Sequence, residues 1–333
     1  MRRLRDNSTH GVSSTKVGTK EASPDMNKIS VVTPCFNESG NLQELYDRIK
    51  SAVEALPYEY EHILIDNAST DGTVEVLRGL AAKDQHVKVI LNTRNFGHIR
   101  SPFHGLLQAS GDAVIAMASD MQDPPERIPE FVRKWEEGFK VVVGVRSRSQ
   151  ELGLFFFLRS MYYRVLRTLS DVELIDNFTG FGLYDKKVIE ILRQCNDPYP
   201  YFRGLIADLG FEYAQVAFDQ PRRQRGLSKN NLYTLYDLAM LGVTSYTKIP
   251  LRLATMLGFL SAAVSFVVGL VYLVYKLIDW PNFSLGLAPV VIGLFFLGSV
   301  QLLFLGIVGE YIGSIYTLAI RRPLVVEKER INF

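Results

Sequence analysis

Cysteine, tryptophan and histidine are all scarce in this chain: two, two and five among 333 residues. Cys35 and Cys195 lie far apart without a metal-type spacing. That excludes a disulfide framework and a cysteine-built zinc site, and reads as two reduced thiols facing a cytoplasm. A large excess of either charge sign is lacking too. A net charge of +2 gives no electrostatic footprint for nucleic acid, so none is expected as a partner. No G-x-G-x-x-G follows the first apolar run, which removes the dinucleotide fingerprint. Residues 1–27 carry Arg2, Arg3 and Arg5 but no apolar stretch of the roughly 7–15 residues that a signal peptide needs. They read as a disordered arm whose basic residues are on hand for anionic lipid, with Met26 as an alternative start.

What is plentiful is apolar surface. Apolar residues make up 47% of the chain and the mean hydropathy is +0.08, with the excess concentrated after Pro250. The length suits a catalytic domain plus something else. From Lys28 to about Arg148, short apolar runs alternate with helical periodicity. Ile29–Thr33, His62–Ile65, Val87–Leu91, Ala113–Met117 and Val141–Val145 read as strands buried on both faces of a parallel sheet. Asn41–Leu56, Thr73–Ala82, His98–Ala109 and Arg127–Glu137 read as the helices between them, and Ser69-Thr70-Asp71-Gly72 as a turn and cap. This alternation predicts a doubly wound, Rossmann-like α/β domain with a mostly parallel sheet.

The rest of the chain points to a bilayer. Leu152–Leu169 mixes Phe155, Phe156, Phe157, Tyr162 and Tyr163 with Arg159, Arg164 and Arg167, the make-up of an interfacial helix, although a helix packed in the core fits as well. Asn231–Lys248 is a second interfacial candidate. Leu253–Tyr275 then runs without a charge, about 34 Å as a helix against a hydrocarbon core of roughly 30 Å. Leu285–Gly309 does the same, with Gln301 its strongly polar residue. Trp280, Tyr272 and Tyr275 stand where an aromatic belt would. Lys248 and Arg252 precede the first span, and Arg321, Arg322, Lys328 and Arg330 follow the second. By the positive-inside rule both ends and the catalytic domain are cytoplasmic, in a multi-pass protein of the inner (plasma) membrane. A buried helical hairpin of a soluble protein is the alternative.

The chemistry is expected at Asp120-Met121-Gln122-Asp123-Pro124-Pro125-Glu126, just after the fourth apolar run. Open α/β sheets bind ligands where strands end. An oxygen-only set, Asp120 with Gln122, suits a hard cation such as Mg²⁺ or Mn²⁺, which in turn suits a diphosphate. Asp123 either supports the site or makes a turn before the prolines. Arg146, at the end of the fifth run, is a candidate diphosphate clamp.

Several further segments stand in order with this loop: Pro34-Cys35-Phe36-Asn37-Glu38, Leu64-Ile65-Asp66-Asn67-Ala68-Ser69-Thr70-Asp71-Gly72, Arg94-Asn95-Phe96-Gly97, Val143-Gly144-Val145-Arg146, Arg223-Gln224-Arg225-Gly226-Leu227-Ser228-Lys229 and Gly306–Gly313 with Arg321-Arg322-Pro323. Together they resemble glycosyltransferase family 2, in particular the membrane-anchored polyprenyl-phosphate glycosyltransferases such as bactoprenol glucosyltransferase and dolichol-phosphate-mannose synthase, over roughly Lys28 to Lys328. The resemblance implies a glycosyltransferase A-type domain with interfacial helices and a C-terminal two-helix transmembrane hairpin. It implies inverting transfer of a sugar, expected to be a hexose from a UDP-hexose, onto undecaprenyl-type polyprenyl phosphate, giving a lipid-linked sugar for cell-envelope or lipopolysaccharide modification.

In that reading Pro34, Asn37, Glu38, Asp66, Arg94 and Arg146 hold the nucleotide, and Asp66 accepts from a uracil-type base while Asp71 caps a turn. Asp120 and Gln122 hold the metal. Arg223, Arg225, Ser228 and Lys229 take the acceptor phosphate, although a basic loop beside a membrane also fits a headgroup anchor. Asp120, Arg223 and Lys229 carry catalysis; no general base is demanded, and His98 and His104 need not act. Membrane lipids are partners, and association of copies through the membrane segments is implied. The expected domains are 1–27 arm, 28–230 catalytic, 231–252 juxtamembrane, 253–309 with spans 253–277 and 285–309, and 310–333 C-terminal helix and tail.

The chain departs from the pattern at three places. Ala118 stands where the family has a first Asp, and Asn67-Ala68 where it has Asp-Gly. Thr179-Gly180-Phe181-Gly182-Leu183 lacks the family's Asp and Arg, a loss for which Asp176 is a possible substitute. Sugar identity is what these changes affect. Two other readings compete. A processive polysaccharide synthase is disfavoured because Trp135 and Trp280 leave no Q-x-x-R-W motif and two spans make no wide channel. A catalytically silent membrane-anchored binding protein is suggested by Ala118, but Asp66, Asp120, Gln122, Arg223 and Lys229 standing together argue against it.

Overall fold

A computed structural model describes residues 28–147, 175, 177–221, 232–278, 287–320 and 322–333. The arm at 1–27, the aromatic segment Leu152–Leu169 and the connector carrying Trp280 lie outside them.

The five apolar runs form strands β1 (Lys28–Cys35), β2 (Glu59–Asp66), β3 (Val87–Asn92), β4 (Ala113–Ala116) and β5 (Val141–Arg146). Between them stand α1 (Leu42–Glu54), α2 (Thr73–Lys83), α3 (Gly97–Leu107) and α4 (Ile128–Glu136). Each lies within a few residues of its sequence expectation. Beyond β5 come elements whose weaker periodicity left them unassigned: β6 (Phe178–Asp185), α5 (Lys186–Gln194), α6 (Phe202–Asp208) and β7 (Tyr213–Phe218). Asp185 starts α5 as its N-cap, with its side chain accepting from the Lys187 N–H, the usual answer to an orphan helix donor.

The sheet has eight strands in the order β7-β5-β6-β4-β1-β2-β3-β8, where β8 is Glu327–Ile331. β1 pairs in parallel with both β2 and β4, and β2 with β3; β6 runs antiparallel between β4 and β5. Alternation along each strand sorts side chains to two faces. Ile29 and Val31 point into a core with Leu45, Ile49, Phe131 and Trp135, while Val32, Ile63 and Ile65 join Phe103, Leu106, Val188 and Leu192 on the other side. The sheet is therefore sandwiched between α1, α2 and α4 on one face and α3, α5 and α6 on the other. Each fully buried Ile or Leu here contributes roughly 1.5–3 kcal/mol.

After this domain come α7 (Leu232–Tyr246), α8 (Ile249–Ile278) and α9 (Leu287–Ala319). Both α8 and α9 are long and apolar enough to cross a membrane, and their apolar windows are wholly unburied. Phe259, Phe266 and Ile278 are 74%, 72% and 79% exposed, far more contiguous apolar surface than a water-soluble monomer leaves open. α8 covers the first expected span, and α9 starts at Leu287, two residues inside the second, and runs ten residues beyond Gly309. α7 is tied to α9 by hydrogen bonds from Tyr236 to Glu310 (2.8 Å) and from Ser314 to Thr244 (2.8 Å), while Tyr311 donates to the Thr247 carbonyl (2.6 Å).

The segment after α9, expected only as helix and tail, returns to the sheet. β8 pairs antiparallel with β3, Arg78 and Glu329 form a bidentate pair, and Asn332 donates to the Ala81 and Val87 carbonyls. A run reading Glu-Lys-Glu-Arg gave no strand signal; its pairing with an open sheet edge decides its conformation.

Candidate active site

β1 is flanked by β2, leading on to β3, and on its other side by β4. Strand order thus reverses at β1 and β4, and the crevice outside their carboxyl ends is the topological switch point where such sheets take ligands. The loops leaving β1, β2 and β4 each hold a non-glycine residue in the left-handed region: Asn37 (φ 58°), Ala68 (φ 60°) and Met121 (φ 64°). Backbone in this region is strained and persists only where its surroundings over-determine it.

Asn37 and Glu38 brace the β1 loop against the β2 loop. The Asn37 N–H donates to Ser69 Oγ (2.9 Å) and its Oδ1 accepts from the Thr70 N–H (2.7 Å). The Glu38 N–H donates to Thr73 Oγ1 (2.9 Å), and its carboxylate accepts from Asn41 (2.6 Å). Asp71 caps the turn as expected, accepting from the backbone of Ser39 and Thr73. Asp66 is buried at 1% exposure. One of its oxygens accepts from the Ser69 N–H (3.0 Å), and the other is a buried oxygen without a hydrogen-bond partner among the described residues. Burying an unmet carboxylate oxygen is costly unless something else satisfies it.

Asn67 explains one departure from the family pattern. Its amide nitrogen donates to Asn95 Oδ1 (2.9 Å) and the Gly97 carbonyl (3.1 Å), while its oxygen accepts from the Phe96 N–H (2.8 Å). A carboxylate could not donate at all, so Asn here fixes the Arg94–Gly97 loop beside Asp66. Exposed Arg94 lies over the Phe96 ring, 4.0 Å from its centroid.

In the β4 loop, Met121 is buried in the core with Ile128, Phe131 and Phe181. Its side chain pins the loop while Asp120 and Gln122 on either side of it stay half-exposed. Asp120 accepts from the Gln122 N–H (3.2 Å). Asp123 turns inward and accepts from the Ala118 N–H (2.8 Å), so it closes the turn as well as facing the site. Burial pushes its carboxyl up to about 6; the Ala118 hydrogen bond opposes this, Asp120 adds to it and Arg146 lowers it.

Asp123 and Arg146 both line a cavity of about 450 Å³, together with Pro34, His98, Thr179, Tyr201, Phe202 and Arg203. Desolvation lowers the His98 pKa, Asp237 works against this and Arg203 adds to it. The structure thus brings Pro34 and Arg146 together with Asp123, which the sequence reading had left between support and turn. Tyr201, Phe202 and Arg203 were missed; their signal, aromatic and basic residues after Pro200, was too short to stand out. Gly182 accounts for a second departure: a Cβ there would run into the Val142 carbonyl oxygen, so no arginine fits between β5 and β6. Arg223, Arg225, Ser228, Lys229 and Asp176 lie outside the described residues.

Among the described residues no three His, Cys, Asp or Glu side chains group as a ready metal cage. The donors present, half-exposed Asp120 and Gln122, fit a cation that keeps several waters and completes its shell with substrate phosphates.

A three-layer α/β domain with carboxylates, amides and arginines gathered at its switch point, followed by two apolar helices, defines a membrane-associated enzyme class that handles phosphorylated ligands. The sequence pattern of glycosyl transferase family 2 matches residues 30–192, and that of the GtrB C-terminal hairpin matches residues 249–315. The bactoprenol glucosyl transferase of Shigella phage SfV is 34% identical over 90% of this chain and 98% of its own. The uncharacterized glycosyltransferase YkcC of Bacillus subtilis is 35% identical over 89% and 92%, and the prophage bactoprenol glucosyl transferase homolog of Escherichia coli 32% over 90% and 98%. The chain belongs to glycosyl transferase family 2. Among solved structures, a glucosyl-3-phosphoglycerate synthase of Mycobacterium tuberculosis is similar at a TM-score of 0.43 and 20% identity over 66% of this chain and 76% of that one.

Proposed function

We propose that this protein transfers a hexose from a UDP-hexose to undecaprenyl-type polyprenyl phosphate on the cytoplasmic face of the plasma membrane, with inversion at the anomeric carbon. The observation that carries this reading is the near full-length similarity to a phage bactoprenol glucosyl transferase, 90% of this chain and 98% of that one. Residues 249–315 also match the GtrB C-terminal hairpin, so the anchor accompanies the catalytic domain. Copies of the chain associate through the hairpin helices.

The acceptor needs no dedicated base. A phosphate monoester with a second pKa of about 6 is largely dianionic at neutral pH. One of its oxygens attacks the anomeric carbon, a new carbon–oxygen bond forms, and the bond to the nucleoside diphosphate breaks with its electron pair leaving on the diphosphate. Positioning and charge neutralisation supply the acceleration.

Asp66 is assigned to the nucleobase, where its buried unpartnered oxygen accepts an N–H. Pro34, Asn37, Glu38 and Arg94 frame the nucleoside, and Arg146 at the cavity wall clamps the diphosphate. Asp120 and Gln122 are the ligands for Mg²⁺ or Mn²⁺, which when bound neutralises charge on the departing nucleotide. The acceptor phosphate is assigned to Arg223, Arg225, Ser228 and Lys229, whose donors pair strongly with phosphate oxygens.

The test is transfer of radiolabelled sugar by the full-length protein in membranes supplied with polyprenyl phosphate, with and without Mg²⁺ or Mn²⁺. A butanol-extractable product that releases its sugar in mild acid is expected. Polymer that stays at the chromatographic origin would make the protein a processive synthase. No transfer from any nucleotide sugar would make it a binding protein.

A further inference from the structure

We infer that Arg100 and Arg322, standing beside the nucleoside-framing Arg94, form a second phosphate-binding site, which receives the phosphate of the lipid acceptor where α9 meets the catalytic domain. The inference rests on the transferase reading above but concerns residues outside the acceptor loop.

Three observations meet there. Arg94 and Arg100 share one aromatic ring, their guanidinium carbons lying 4.0 and 5.3 Å from the Phe96 centroid. Arg100 donates to the Pro323 carbonyl, which brings the start of α3 against the segment that leaves α9 and puts Arg322 beside it. Among the described residues, none of the three arginines pairs with a carboxylate. Glu327, close by on the same returning segment, is occupied by His104 and Arg330; Asp237 accepts from Tyr199.

The cluster is electrostatically unbalanced. Arg100 is half-buried and its Nε is a buried donor without a partner among the described residues. Its pKa is lowered by desolvation first and then by the like charges of Arg94 and Arg322, against a small opposing influence of Tyr199. Arg100 and Arg322, with Arg94 beside them and no carboxylate partner among the described residues, present the forked geometry that phosphate oxygens satisfy.

Location selects the ligand. α9 has 33 residues, roughly 50 Å as a helix, against about 40–45 Å for a bilayer with its headgroups. Its C-terminal end therefore lies at the level of lipid phosphates or just past them, and Arg322 comes three residues after Ala319. On the other side, Arg100 directly follows His98 and Ile99 along α3, and those two line the cavity. The cluster stands between bilayer and cavity, on the path a lipid-borne phosphate must take.

The experiment uses purified full-length protein and its R322Q, R100Q/R322Q and R322K variants, titrated with short-chain polyprenyl phosphate and read by native mass spectrometry. Polyprenol lacking phosphate and phosphatidylglycerol serve as controls, and the UDP-induced thermal shift as a check on folding. R322Q is expected to weaken polyprenyl-phosphate binding about tenfold, the double variant further, with R322K retaining most of it and the UDP shift unchanged. Equal affinity in wild type and R322Q overturns the inference, as does an equal loss with polyprenol. Full competition by equimolar phosphatidylglycerol overturns it too, since the site is then a general headgroup anchor. If R322Q weakens binding but no sugar is transferred, the transferase reading alone fails. If transfer proceeds and R322Q changes neither binding nor the KM for lipid, this inference alone fails.

Discussion

The two edges of the central sheet are built on opposite terms. At the edge where strands begin, the buried charges are answered. Glu61, 1% exposed, accepts from Lys28 (2.8 Å), Ser30 (2.6 Å) and the Ser110 N–H (2.8 Å), and pairs with Lys88 (2.8 Å). Although burial alone would raise it, these partners hold its carboxyl at about 2. Asp84 is similarly bound by Tyr46, Lys50 and His86. At the edge where strands end, Asp66 keeps an unmet oxygen, Asp123 sits well above the usual carboxylate range, and three loops run through left-handed residues. Satisfied networks stabilise a fold; unsatisfied, strained positions are where a ligand supplies what is missing.

Mutating one edge at a time sharpens this contrast. Asp120→Ala, at the strand-end edge, is expected to lower kcat/KM for lipid glycosylation by on the order of 10²–10³ and to move stability by no more than about 1 kcal/mol. Retained activity in a steady-state assay would detach the edge from the chemistry. Glu61→Ala strands two lysines and two serines at the other edge. The loss should be about 3 kcal/mol, the low end for a broken buried pair, because Lys28 and Lys88 keep 27% and 21% of their side chains in solvent. A denaturant titration measures it, and the donor KM of the folded fraction should stay as in the wild type.

The third test is a pH profile. His62 is fully buried, with Nε2 on Thr33 Oγ1 (3.0 Å), and burial lowers it to about 4. Its unfolded value is the higher one, so between pH 6.5 and 4 the unfolded chain binds the extra proton and stability falls as pH falls. About 3 kcal/mol should disappear over that window, and His62→Gln should flatten the slope there. An unchanged slope would mean His62 is charged in the fold. The smallest effect is a gain: Ala68→Gly relieves a left-handed alanine at the strand-end edge and should add about 0.5–1 kcal/mol to the unfolding free energy. A loss in thermal melting would place the ordering of that loop elsewhere.

Much of the molecule is legible from residues in a row. Short β-branched runs bounded by turns became β1 to β5, and their alternation specified parallel strands because only a crossover helix returns the chain. Asp120-Met121-Gln122 was legible as a strand-end cluster, since oxygen donors directly after an apolar run are a local pattern. Tyr201, Phe202 and Arg203 were not, because the cavity they share with Pro34 and Arg146 is assembled from segments more than fifty residues apart. Nor was the reason for Asn67, whose four partners lie at 92–97.

The amino-acid order alone determined a parallel α/β core and two helices too apolar for water, because periodicity and transfer free energy act over a few turns of chain. Tertiary structure decided the insertion of β6 between β4 and β5, the docking of the charged β8 onto β3, and the gathering of Arg94, Arg100 and Arg322. Each of these depends on a partner distant in sequence, and hydrogen-bond pairing and charge proximity exist only once the chain has brought those partners together.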